Sequence, residues 1–73
     1  MNLAVSPIRN NIRRFRFENQ EMTQKVLAEK VGVTRQTIVA IEKAKYSPTL
    51  ELAFRIAEVF SVPLHEVFSY DPE

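Results

Sequence analysis

Apolar residues recur along this chain mostly at separations of three and four, the spacing of helices that bury one face. In the first such stretch Ile8, Ile12 and Phe15 share a face, and Ser6 stands where an N-cap is expected. The pattern therefore predicts a first helix that begins after Ser6 and ends near Asn19.

Two shorter helices are expected next, each after a threonine whose hydroxyl can cap it. Thr23 precedes the second helix and Thr34 precedes the third, which runs to about Lys43. Gly32, the only glycine of the chain, stops the second helix because glycine readily takes the positive φ of a sharp turn. Together these signals predict a helix-turn-helix over residues 24–42.

The sequence of residues 44–73 predicts two more helices. Residues 44–49 form a loop because Pro48 keeps its predecessor extended, and Thr49 can cap a fourth helix with a broad apolar stripe. Pro63 opens a short fifth helix. The end segments MNLAV and FSYDPE are expected to be extended and could pair as a two-stranded ribbon. The predicted fold is all-α, with five helices that this ribbon could accompany, in one domain over residues 1–73.

Residues 24–42 carry a more specific arrangement than helical spacing alone. A small residue stands where two helices must cross closely, the turn glycine follows four residues later, and aliphatic side chains anchor the turn and the next helix. The residues expected to build this motif are Ala28, Gly32, Val33, Ile38 and Ile41.

The third helix should present a mixed face to the outside. At about 100° per residue, one set of side chains falls within an arc of about 140°, across the axis from Ile38 and Ile41. Arginine can bond guanine bidentately, glutamine can bond adenine bidentately, and small apolar groups suit a thymine methyl. The side chains of this face are Arg35, Gln36, Val39, Ala40 and Lys43.

Charge adds to this picture through its distribution. The 73 residues carry a net charge of +1, but residues 1–46 hold nine Lys and Arg against four Glu, while residues 47–73 hold one Arg against five acids. A basic half suits a polyanion, although chance patterning of solvated charges is the alternative. Hydrophobic content of 45% is enough for one small core.

The sequence lacks the residues and segments that metal-binding proteins, membrane proteins and enzymes require. There is no cysteine, and the single His65 cannot hold a metal alone, so no metal site or cofactor is expected. No run approaches the ~18 apolar residues of a membrane span, and no secretion signal is evident. We expect a cytoplasmic protein with no membrane contact, no small-molecule ligand and no enzymatic activity, because no carboxylate pair or nucleophile lies in an evident pocket.

The segment QKVLAEKVGVTRQTIVAIE resembles the helix-turn-helix of the Cro and phage-repressor superfamily, the XRE family, and the resemblance extends over nearly the whole chain. It is closest to very short members with a KYSP-type loop, a helix like LELAFRIAEVF and a tail like VPLHEVFSY. The resemblance implies a five-helix domain that binds double-stranded operator DNA as a homodimer. We expect a transcription regulator that acts as a repressor on a palindromic operator.

The family pattern also implies roles for individual residues. Arg35 and Gln36 match base-reading positions, and Glu42 matches a residue that pairs with a first-helix arginine, here Arg16. We expect that pair to be exposed and to orient the third helix. The positions that match DNA-backbone contacts are Gln24, Thr37, Lys43, Lys45 and Tyr46, although Tyr46 could instead pack on the start of the fourth helix.

This chain departs from the family at three loop positions where glycine is common and Gln20, Ala44 and Ser61 stand instead. Either the backbone keeps a positive φ there, at a cost of order 1 kcal/mol for Ala44, or the loops have changed shape.

Residues 61–73 are the expected dimerisation region. Their apolar side chains could face a second copy or fill the small core, and we expect a split between the two. The candidates are Leu64, Val67, Phe68 and Tyr70. An antitoxin-like protein-interaction module that uses the same fold is the alternative function.

Overall fold

The structure is a computed structural model that describes residues 6–72. Within this part of the chain it has five helices and one two-stranded antiparallel sheet, as expected. The elements in chain order are β1 (Ile8–Asn10), α1 (Ile12–Glu18), α2 (Gln24–Val31), α3 (Arg35–Glu42), α4 (Leu50–Val59), α5 (Leu64–Val67) and β2 (Phe68–Tyr70).

Three threonine caps are confirmed. The hydroxyl oxygens of Thr23, Thr34 and Thr49 each accept a hydrogen bond from the backbone N–H three residues later, at 3.0, 3.2 and 3.2 Å. Each bond satisfies one of the N–H groups that lack an intrahelical partner at a helix start. Gly32 ends α2 at φ 78°, so the turn between α2 and α3 has the predicted left-handed residue.

The predicted start of the first helix is wrong. α1 begins at Ile12, and Ile8 lies in β1. The hydroxyl of Ser6 does not cap a helix but accepts from the N–H of Ile8 at 3.0 Å, and the side-chain oxygen of Asn10 accepts from the N–H of Ile12 at 3.1 Å. Pairing of residues 8–10 with the C-terminal strand keeps this segment extended, against its helical apolar spacing.

The ribbon is present, and its N-terminal strand lies later than expected. β1 and β2 are antiparallel, with Ile8 opposite Tyr70 and Asn10 opposite Phe68. The predicted N-terminal strand MNLAV lies outside the described residues. The C-terminal strand falls in the predicted FSYDPE segment. The ribbon thus joins the start of α1 to the end of α5.

The core is formed by one face of every helix. Ile12, Leu27, Ile38 and Ile56 are completely buried, and the rings of Phe15 and Phe60 stack with centroids 5.5 Å apart.

One expected dimer residue belongs to this core. Val67 is completely buried, so its assignment to a dimer interface is wrong. Leu64 and Phe68 are half-buried against the core, whereas Tyr70 is 70% exposed. The four residues therefore differ in burial, and Tyr70 is the most exposed of them.

The loops keep the left-handed conformation although glycine is absent. Gln20, Ala44 and Ser61 have φ of 62°, 59° and 57°, and Glu21 has φ of 55°. After α3, the N–H of Lys45 bonds the carbonyl of Ala40 at 2.9 Å, which is the bond of a helix that ends on a left-handed residue. The chain therefore keeps the turn and accepts backbone strain at Ala44. None of the helices in residues 6–72 has the length and hydropathy needed to cross a membrane.

Candidate nucleic-acid interface

The outer face of α3 has the composition that the helical wheel predicted. Arg35, Gln36 and Lys43 are exposed, Val39 and Ala40 are half-buried, and the opposite face is buried in the core. The long donors therefore project beyond the small apolar groups between them. Such a surface can enter a major groove and meet both base edges and methyl groups.

The first turn of α3 is held by two threonines. The hydroxyl of Thr34 caps the helix, and it lies 3.1 Å from the hydroxyl of Thr37. Thr37 is half-buried, and its hydroxyl is already hydrogen-bonded to that of Thr34. A hydroxyl both donates and accepts, so Thr37 can still take a further bond from an added partner.

Arg16 and Glu42 form a bidentate ion pair that joins α1 to α3. Their side chains bond at 2.7 Å (Nε to Oε2) and 3.1 Å (Nη2 to Oε1) and are only 15% and 10% exposed. The expectation of an exposed pair is wrong, because the side chain of Arg16 lies between α1 and α3 and also donates to the carbonyl of Met22 at 2.8 Å. The pair fixes α1 against α3.

Gln24, at the start of α2, belongs to the same network. Its amide nitrogen donates to Oε1 of Glu42 at 3.2 Å, and the residue is half-buried. This bond orients the side chain and commits its amide nitrogen. The backbone N–H groups at the start of α2 remain the better donors for an anion at this place.

A groove open to solvent runs between the outer face of α1, the start of α2 and α3, and it is called here the α1–α3 groove. Gln24, Val39 and Glu42 are among its lining residues. Its cationic side chains are Arg13, Arg14, Arg16, Lys25, Arg35 and Lys43.

Four cations of this groove lack an acidic partner in the described chain. Arg16 is paired with Glu42, and Arg14 lies 3.8 Å from Glu18 with its guanidinium 4.7 Å from the centre of the Phe15 ring. The other four cations, Arg13, Lys25, Arg35 and Lys43, make no ion pair within residues 6–72. The groove therefore carries a net positive charge that is available to a polyanion.

The remaining predicted backbone residues lie elsewhere on the surface. Tyr46 is 46% exposed and lines a second, smaller cleft, of about 300 Å³, with Gly32, Thr37 and the start of α4. Lys45 is exposed directly after the left-handed Ala44. The structure thus groups Gln24, Arg35, Val39 and Lys43 in the α1–α3 groove and places Tyr46 beside Thr37.

The sequence left open whether Arg13 lies near DNA or only solubilises the first helix, and it gave no role to Lys25. Both belong to the groove, and their positions one turn before Arg16 and next to Gln24 could have indicated this. Two side-chain donors to the motif's helix ends carry no local signal: Arg55 Nη1 donates to the carbonyl of Val31 at 3.3 Å, and Asn10 donates to the carbonyl of Ile41 at 2.9 Å.

A second exposed surface lies on α4 and the C-terminal segment. Leu50 and Phe54 are 67% and 53% exposed, and Phe54 lines a cleft with Leu64 and Pro63. Exposed large apolar groups of this kind are typical of contact surfaces.

Comparison with known proteins gives a consistent result. The helix-turn-helix family profile matches residues 12–67. An uncharacterised HTH-type transcriptional regulator of Archaeoglobus fulgidus is 50% identical over 66 residues, which are 90% of this chain and 93% of that protein. Another, from Methanocaldococcus jannaschii, is 54% identical over 52 residues, 71% of this chain and 79% of that protein.

A phage protein and a solved structure extend the comparison. The cryptic phage CTXphi transcriptional repressor of Vibrio cholerae is 35% identical over 60 residues, 82% of this chain and 53% of the repressor. A crystal structure of a candidate DNA-binding protein from Bacteroides fragilis superposes with a TM-score of 0.75 at 27% identity, covering 85% of this chain and 98% of that one.

Proposed function

The chain belongs to the helix-turn-helix family of transcriptional regulators, and we propose that it is a cytoplasmic repressor that binds an imperfectly palindromic operator as a homodimer. The observation that carries the proposal is the exposed face of α3, with Arg35 and Gln36 beside a groove in which four of six cations make no ion pair within residues 6–72. The similarity to a phage repressor supports repression over activation.

Within this proposal α3 lies in the major groove and reads base edges with Arg35, Gln36, Val39 and Ala40. Arginine and glutamine each bond a purine through two atoms, which is how a short helix discriminates base pairs. One strand of the DNA backbone then lies in the α1–α3 groove. Its phosphates meet Lys43, the N–H groups at the start of α2 beside Gln24, and the groove residues Arg13 and Lys25.

Contacts outside the groove complete the proposed footprint. Lys45 and Tyr46 follow α3 directly, and Thr37 lies in the cleft that Tyr46 lines. All three are proposed to touch the sugar-phosphate backbone. The turn at Ala44 supports this assignment. Because Ala44 has a positive φ, the chain after α3 takes the direction that a glycine at this position would give it, and Lys45 and Tyr46 lie on that path.

Dimerisation is proposed through the C-terminal surface formed by Phe54, Leu64, Phe68 and Tyr70. Such a dimer would place two recognition helices about 34 Å apart, so the half-sites should lie about 10 bp apart, centre to centre. The acidic charge of residues 47–73 would keep this surface away from DNA.

Selection of bound duplexes from a random pool tests the proposal. We expect an enriched palindrome, and replacement of Arg35 or Gln36 by alanine should relax discrimination at one base pair by about 1–3 kcal/mol. Lys43→Ala should weaken binding to all sequences and reduce the salt slope by about 1. Lys30→Ala is the control, because Lys30 is exposed on α2 but outside the α1–α3 groove.

A pool without any enriched sequence would contradict sequence-specific binding. Capture of a protein partner with little dependence on salt would instead support the protein-interaction alternative, because phosphate contacts release counterions and depend steeply on salt.

A further inference from the structure

Asn10, the last residue of β1, uses both halves of its side-chain amide within the protein. Its oxygen accepts from the N–H of Ile12 at the start of α1. Its nitrogen donates to the carbonyl of Ile41 at 2.9 Å and lies 3.5 Å from the carbonyl of Glu42. One half-buried side chain therefore ties the start of α1 to the end of α3, 31 residues away.

The end of α3 is also tied through the Glu42 side chain, which bonds Arg16 and Gln24, but among the described residues Asn10 is the one whose side chain bonds the last carbonyls of the helix. The last carbonyls of a helix lack intrahelical partners, and a side-chain donor fixes their position. α3 has eight residues and is about 12 Å long, so a shift of 1 Å at its end tilts it by about 5°. Base readout requires side chains to be held within about 0.5 Å, so a displacement of this size matters for recognition.

Asn10 is itself held by the ribbon. It lies opposite Phe68 in the sheet, and the next residue, Asn11, donates its backbone N–H to the carbonyl of Val67 at 2.8 Å. Ser6 also donates its backbone N–H to the carbonyl of Ala44, directly after α3. The segment before α1 therefore contacts the end of α3 on one side and the C-terminal strand on the other.

We propose that Asn10 is a positioning residue for DNA recognition, which fixes the angle of α3 through the carbonyls of Ile41 and Glu42 and does not itself read a base. The proposal rests on the proposed function, because it assigns α3 the role of recognition helix. It adds a residue outside the helix-turn-helix whose substitution changes how well the protein discriminates operators.

Amide hydrogen exchange tests the structural half of the proposal without DNA. The N–H groups of Lys43, Ala44 and Lys45 close the end of α3, so their exchange reports its opening. Asn10→Ala should speed their exchange by about 5- to 10-fold, the effect of one lost hydrogen bond. Asn11→Ala is the matched control, because its side-chain amide bonds the carbonyl of Glu66 in α5 at 3.1 Å and leaves exchange at the end of α3 unchanged.

Duplex binding tests the functional half. The probes are a duplex recovered by selection and the same duplex with scrambled half-sites. Asn10→Ala should lower the ratio of the two affinities by about tenfold and leave the salt slope unchanged, because the phosphate contacts are kept. A role in stability alone would lower both affinities equally. Equal losses, or exchange rates equal to those of Asn11→Ala, would overturn the proposal.

A second pair of variants tests the proposal if Asn10→Ala does not fold. Asn10→Asp keeps an acceptor for the N–H of Ile12 but removes the donor to α3, and Asn11→Asp adds the same charge to the same groove. A lower ratio of affinities for the selected and scrambled duplexes in Asn10→Asp than in Asn11→Asp supports the proposal, and equal ratios in the two variants overturn it. If the unmodified protein selects no duplex, the proposed function fails, and with it the functional half, while exchange still reports whether Asn10 holds α3.

Discussion

Replacement of Ala44 by glycine should stabilise this protein, although it removes a half-buried methyl group. Ala44 has φ of 59° and follows the C-cap residue of α3. Its N–H bonds the carbonyl of Ile41 at 3.0 Å, and the N–H of Lys45 bonds that of Ala40 at 2.9 Å. These bonds require the left-handed conformation, in which a Cβ crowds the following carbonyl oxygen.

The magnitude follows from two opposing contributions. An L-residue in the left-handed region costs about 1–2 kcal/mol, which glycine does not incur. Glycine adds freedom to the unfolded chain, which reduces stability by about 0.5–1 kcal/mol. The difference favours Ala44→Gly by about 0.5–1 kcal/mol, and for a domain of this size that raises Tm by about 4 °C.

Thermal and urea unfolding, followed by circular dichroism, measure this gain. Gly32→Ala is the reciprocal control, since Gly32 has φ of 78° and an added Cβ would lie 3.6 Å from Nη1 of Arg55, an ordinary contact. Gly32→Ala should lower the free energy of unfolding by about as much as Ala44→Gly raises it. Ala40→Gly, within α3 itself, should lower stability by about 1 kcal/mol because glycine disfavours a helix interior.

A lower Tm in Ala44→Gly, as in Ala40→Gly, would contradict this prediction. That result would mean that the turn after α3 carries no strain for glycine to relieve. Loss of stability in Gly32→Ala alone is not sufficient support, because Gly32 and Ala44 have the same backbone conformation and the two substitutions must change stability in opposite directions.

Two further predictions concern the buried ion pair and the dimer. Arg16→Met and Glu42→Leu should each lower the free energy of unfolding by about 3 kcal/mol, because each leaves one charge uncompensated between α1 and α3. The double variant should lose less than the sum of the two single variants. Additive losses in urea unfolding would contradict this coupling. Tyr70→Glu should shift sedimentation toward the monomer. Ser69→Glu, at the neighbouring exposed residue of β2, is the control, and equal sedimentation of the two variants would exclude Tyr70 from the interface.

Local signals explain why much of the fold could be predicted. Each threonine cap depends on a hydroxyl and an N–H three residues away, and the turn depends on one glycine. The exposed face of α3 follows from helical geometry once Ile38 and Ile41 are buried. These local signals are therefore sufficient to predict the general fold.

Contacts between distant residues explain what was missed. The apolar spacing of Ile8 and Ile12 fits a helix, and only pairing with residues 68–70 makes the first of them part of a strand. The burial of Arg16 depends on how α1 packs on α3, which composition does not reveal. Val67 looked equally suited to a core or an interface, and the small size of the domain places it in the core.

The helix-turn-helix of this chain depends on donors that lie outside it. At the end of α2, the carbonyl of Val31 accepts a hydrogen bond from Nη1 of Arg55 in α4. At the end of α3, the carbonyl of Ile41 accepts one from the side-chain amide of Asn10 in the ribbon. Arg16 holds α3 from α1 through Glu42. A core of this size has little stability to spare, so directional polar bonds are well suited to fix the angle between the two helices. It follows that substitutions far from the DNA-facing side chains can alter recognition without altering any contact to a base.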